Sequence, residues 1–216
     1  MADEQRPSSN GEAGRGLGGV YRVGSMARVG QTIENPVNGE SITWIETAQS
    51  SSGDLLAFDL SLQPGAFVAA PHRHVRQEES FQVSAGTIEL EIAGSQRTLG
   101  PGETATVPIG VVHRWWNAGA DEATVRVELR PALDTETFFE VFFGLNRDRR
   151  TNRKGMPGLV QIAVTCRALG DSCPTLVRPP ATVQRALFAL LAPIGRLRGL
   201  RGTYATYSPD HPSLSR

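Results

Sequence analysis

His72, His74, Glu79 and His113 are the residues of this 216-residue chain whose types and spacing could do chemistry. Imidazole and carboxylate are metal ligands, and three of the chain's four histidines fall here beside one glutamate. The first segment reads Gly65, six residues, His72-x-His74, four residues, Glu79, six residues, Gly86. The second reads Gly102, five residues, Pro108-x-Gly110, two residues, His113, three residues, Asn117. A lone HxH is usually accidental; two linked segments with this spacing are not. A three-histidine, one-glutamate shell without thiolate suits Fe(II), Mn(II), Ni(II), Cu(II), Co(II) or Zn(II), and leaves positions open for water, dioxygen or substrate.

Strands must position these ligands. Side chains alternate along a strand, so His72 and His74 are expected on one face, toward the interior of a barrel. Glu78 competes with Glu79 as the carboxylate. The register that turns Glu79 inward also turns Phe81 and Val83 inward and sends Ser80 and Gln82 to solvent, which selects Glu79. Pro108 and Gly110 predict a tight turn that launches a strand at His113, with Trp115 on the histidine's face and His113 arriving from across the sheet. Alternating apolar runs at 55–62, 81–83, 87–92, 104–107 and 124–129, separated by Gly, Pro, Asn or Asp, predict an all-β sandwich or barrel. Phe58, Leu60, Phe81, Val83, Leu90, Ile92, Trp115 and Val127 are candidates for core or for an apolar pocket above the metal. Of these, Phe58, Phe81, Val83 and Trp115 are the substrate-pocket choice.

The two segments resemble the two motifs of the cupin superfamily, with all four metal-ligand positions filled. The first carries one residue more than the family pattern between Gly65 and His72, which leaves the ligand spacing intact. The resemblance covers residues 31–133. It implies a mainly β fold, a double-stranded β-helix or jelly-roll barrel with the metal in its mouth. It also implies a homodimer, whose contact would be sought around 31–45. With its helical C-terminal extension the chain resembles single-domain bacterial cupins of no assigned reaction, and the superfamily's activities are too diverse to transfer one.

Composition bounds the rest. Hydrophobic residues make up 39% of the chain, and no stretch is long and apolar enough to span a bilayer. Residues 1–30 read as a flexible tail whose first part is polar, Gly-rich and acidic where an export signal needs a positive start and an apolar run. Cys166 and Cys173 match no redox or zinc motif and are expected as free thiols in the cytoplasm. Net charge is zero, yet residues 1–134 carry ten basic and seventeen acidic side chains and residues 135–216 carry twelve and five. Residues 134–216 therefore read as a helical basic, apolar extension. A helix is expected from Asp134 or Thr135 through Phe142, stopping at Gly144; a basic loop follows over 146–158, then helices over 159–169 and 181–200. In the last, Val183, Leu187, Leu190, Ile194 and Leu197 form one stripe, expected to cover the barrel or a second subunit, and Pro193 is a candidate kink. The same basic, apolar segment suits weak contact with an anionic membrane surface. No nucleic-acid motif is readable.

The function expected is a metal-dependent enzyme acting on a hydrophobic or aromatic small molecule, with an Fe(II) oxygenase as the leading reading. Glu79 would act as catalytic base as well as ligand. The alternatives are a redox-neutral isomerase, cyclase or lyase using the same ligands, and a non-catalytic module whose metal only orients a bound small molecule.

Overall fold

A computed structural model describes residues 27–66 and 70–207; the tail expected over residues 1–30 lies, up to residue 26, outside the described residues. Eleven described strands run in chain order: β1 (Thr32–Asn35), β2 (Glu40–Glu46), β3 (Leu56–Leu62), β4 (His72–Arg73), β5 (Glu78–Ala85), β6 (Ile88–Ile92), β7 (Ser95–Leu99), β8 (Thr104–Val107), β9 (His113–Asn117), β10 (Ala123–Arg130) and β11 (Thr175–Leu176). Three described α-helices, α1 (Thr135–Arg147), α2 (Leu159–Leu169) and α3 (Ala181–Leu197), follow the last long strand. The strands form two antiparallel sheets, ordered β1-β2-β3-β10-β5-β8 and β11-β4-β9-β6-β7. This is the jelly-roll arrangement of two facing sheets around one core.

Alternation explains which faces meet. In β10, Val125, Val127 and Leu129 are buried while Arg126, Glu128 and Arg130 are not, and Arg126 instead makes a two-point ion pair with Asp59 on the outer face of β3. Register then stacks the inward residues in layers. Phe58, Val127, Phe81 and Ala105 lie side by side across β3, β10, β5 and β8; Leu60, Val125 and Val83 form the next layer. In the facing sheet Leu90 pairs with Trp115, and Ile88 with Asn117. Gly86 makes the turn between β5 and β6 at φ +75°, where a Cβ would stand 2.6 Å from the Cα of Ala123, so a side chain there meets main chain.

The extension packs on the barrel. β11 pairs with β4 through Leu176 and His72, so a strand from beyond residue 134 completes the edge of the sheet that carries two of the histidine segments. α1 lays Phe139 against Phe58 and Trp44, with ring centroids 5.2 and 6.4 Å away. It does not stop at Gly144 as its sequence suggests. It continues to Arg147, and Gly144 lies against Tyr207, where a Cβ would stand 2.2 Å from the ring; the glycine is a contact surface and not a terminator. Asp134 precedes α1 without a side-chain capping bond. α2 ends at Leu169 before Gly170, and α3 continues through Pro193 to Leu197.

The stripe expected to be the packed face of α3 is largely exposed. Val183, Leu190, Ile194 and Leu197 are 50%, 71%, 43% and 89% exposed, and the helix instead buries Gln184, Ala192 and Gly195. Gln184 decides the rotation: its amide donates to the carbonyls of Leu176 and Pro179, which turns that face inward.

Candidate metal centre

Glu79, His72, His74 and His113 are each less than 9% exposed, and one ligand atom from each lies within 4.8 Å of the other three. Ligands about 2.0–2.2 Å from one ion can stand no more than roughly 4.4 Å apart. A contraction of a few tenths of an ångström therefore closes this group on a metal. Glu78, the neighbouring carboxylate, is exposed.

Each ligand is held by a recognisable local device. His72 and His113 are directly paired residues of adjacent strands, with ring centroids 4.3 Å apart. Their Nδ1 atoms face carbonyls two residues upstream, Ala70 O at 2.9 Å and Val111 O at 3.2 Å. An Nδ1–H donated to a carbonyl leaves Nε2 with its lone pair free for a metal. The Pro108 turn, closed by Val111 N donating to Pro108 O, is bonded to the first segment, since Gly110 N donates to His74 O at 2.8 Å. His74 Nδ1 is buried without a hydrogen-bond partner.

His113 reaches His72 from across the same sheet, as expected, and Glu79 is the ligand that comes from the other sheet. Glu79 sits on β5 in a layer with Leu56, Leu129 and Val107, and reaches His113 Nε2 at 2.7 Å and His74 Nε2 at 3.4 Å. Burial works to raise its pKa, but the charge of His74 and hydrogen bonds from His113 and His74 outweigh this and hold it below the ordinary carboxylate range. Burial pushes His72 down to about 4, aided by His113, which favours the neutral ligand form. Burial also works to lower His113, yet its bond to Glu79 raises it on balance. A divalent ion would take the place of that shared proton.

Gln77 was not visible as a site residue in the sequence. It is 1% exposed, between His74 and Glu79, and its amide nitrogen lies 2.9 Å from Pro131 O, 3.0 Å from Ala132 O and 2.9 Å from Thr135 Oγ1. It ties the ligand loop to the junction of β10 and α1; a glutamine in a loop carries no periodic signal. Asn117, which closes the second sequence segment, is structural. Its amide donates to Leu62 O and Asp121 O and accepts from Gly119 N, at the far end of β9.

Among the expected pocket residues, Phe81 and Trp115 pack together at 5.2 Å, with Phe81 6.4 Å from the His113 ring. Phe58 shares the Phe81 layer but turns to Trp44 and Phe139. Val83 lies two layers from Glu79, about 13 Å along the strand.

A family profile described as the cupin domain matches residues 58–129, which include all four ligands. Those residues form a cupin domain. No curated protein matches this chain. Solved structures similar to it include KdgF from Halomonas sp., at 25% identity over 45% of this chain and 84% of that one, TM-score 0.40. A structure described as a predicted oxalate decarboxylase from Thermotoga maritima is 16% identical over 47% and 90%, TM-score 0.42. A cupin described as a sugar phosphate isomerase from Silicibacter pomeroyi is 24% identical over 50% and 69%, TM-score 0.38.

Proposed function

We propose that this cupin is a metal-dependent enzyme acting on a hydrophobic or aromatic small molecule, and that its chemistry is that of an Fe(II) oxygenase. The observation that carries the reading is the convergence of three imidazoles and one carboxylate, buried and drawn from both sheets, on a volume the size of one ion. His72, His74, His113 and Glu79 would hold the metal. When bound, a redox-active divalent ion supplies dioxygen activation, and a manganese, nickel, copper, cobalt or zinc ion would fit the same donor atoms.

The chain's own residues supply the rest. Burial keeps His72 neutral and the imidazoles keep Glu79 ionised, the forms in which both hold a metal; Glu79 would accept a proton from substrate only when loosened from these partners. Leu129 and Val107 flank Glu79 in its layer, with Leu56 beyond Leu129, and all three are buried; Phe81 and Trp115 pack together beside His113. An apolar or aromatic body with one polar group fits these surroundings.

The test needs no substrate in advance. Protein loaded with Fe(II) under argon and exposed to nitric oxide should give the high-spin iron–nitrosyl resonance of an ion with an open position. Absence of that signal would indicate a closed site and a binding module. With a substrate in hand, turnover that persists without dioxygen would transfer the assignment to isomerase, cyclase or lyase chemistry on the same ligands.

A further inference from the structure

α3 presents one face to α2 and leaves the other in water. At 3.6 residues per turn, Ala186, Leu190 and Leu197 lie near the middle of the outer face, with Val183 and Ile194 along one edge, and all five are exposed. Arg185 and Arg196 border the opposite edge, and Arg198 and Arg201 follow the helix. No carboxylate occurs between Asp171 and Asp210, so the charge around this apolar face has one sign.

We propose that the outer face of α3 docks on the surface of an anionic lipid bilayer. An apolar helical face bordered by arginines lies in the headgroup region with its side chains in the acyl boundary, while the guanidinium groups pair with lipid phosphates. Residues 1–134 carry seventeen acidic and ten basic side chains, so the chain is electrically polar and an anionic surface attracts it extension first. A second copy fits the face less well, because a two-fold pairing of α3 with itself would bring two arginine rims together without a carboxylate between them. No described helix is long and apolar enough to cross a membrane, which leaves α3 on the surface. The docking stands independently of the metal chemistry, yet the two are linked. Val177 N donates to Pro71 O and Leu176 pairs with His72, so the segment that leads into α3 is bonded to a ligand strand.

Flotation of the full chain with phosphatidylcholine vesicles, with and without phosphatidylglycerol, tests this at low salt. The protein should float with the anionic vesicles and not with phosphatidylcholine alone. Leu190→Glu with Leu197→Glu should abolish flotation while leaving metal content unchanged, because both side chains are exposed. Arg196→Gln with Arg198→Gln should weaken it by roughly tenfold or more. No flotation of the wild type with anionic vesicles, or flotation of both double variants equal to that of the wild type, would overturn the proposal. So would light scattering that shows a dimer which the leucine variant splits, since a second copy would then cover the face.

Discussion

His113 Nε2 stands 2.7 Å from Glu79 Oε2, although the two residues belong to different sheets. The contact joins the two sheets through ionisable groups, and a metal would replace its proton.

Metal content should therefore depend on either side of the joint. Wild-type protein purified without added metal is expected to hold close to one transition-metal ion per chain by elemental analysis, and His72→Ala with His113→Ala to hold almost none. Chelation of the wild type should lower its thermal midpoint, since a ligand at about 100 times its Kd adds about 2.7 kcal/mol. A midpoint insensitive to chelator in metal-loaded protein would contradict the assignment.

Gln77→Ala removes the tie between the ligand loop and the start of α1, leaving Thr135 Oγ1 and Pro131 O without their donor and Ala132 O with only the long bond from Thr135 N. The expected loss is about 1–3 kcal/mol in chemical denaturation. Metal should also bind more weakly, because the loop that carries His74 and Glu79 is less fixed. Unchanged stability would show that water replaces the amide.

Glu40 predicts a pH dependence separate from the metal. It is buried, one carboxylate oxygen has no partner, and burial raises its pKa despite hydrogen bonds with Asn38 and Asn35. A raised folded-state pKa contributes stability that is present below the unfolded value and is lost as pH rises through the folded value. Glu40→Gln, which cannot ionise, should therefore match wild type at about pH 4 and become progressively more stable by about pH 7. Thermal midpoints of both metal-stripped proteins across that range check the sign, and a gap that narrows as pH rises would refute it.

Gly144→Ala should expel Tyr207 from α1. Tyr207 is 4% exposed and donates to Asp148, and Arg150 lies against both tyrosines of this segment. A cost of about 1–3 kcal/mol is expected for the overlap. Limited proteolysis should cut near Arg201 in the variant first. Adding Tyr207→Ala should remove most of the further loss, so the two changes would be far from additive.

The ligands, the carboxylate register and most strands were legible because they rest on local rules: spacing, two-residue alternation and turn residues. Short or polar strands escaped, notably Ser95–Leu99, which is exposed at four of five positions and is a strand only because it pairs with Ile88–Ile92. Sequence by itself determined a β barrel with three histidines and a glutamate able to converge. Tertiary structure decided that Glu79 is the ligand contributed by the facing sheet, that a strand from beyond residue 134 completes the histidine sheet, that Gly144 receives a ring, and which face of the last helix remains in water. Those outcomes depend on partners distant along the chain, and local periodicity records that a face is apolar without recording what meets it.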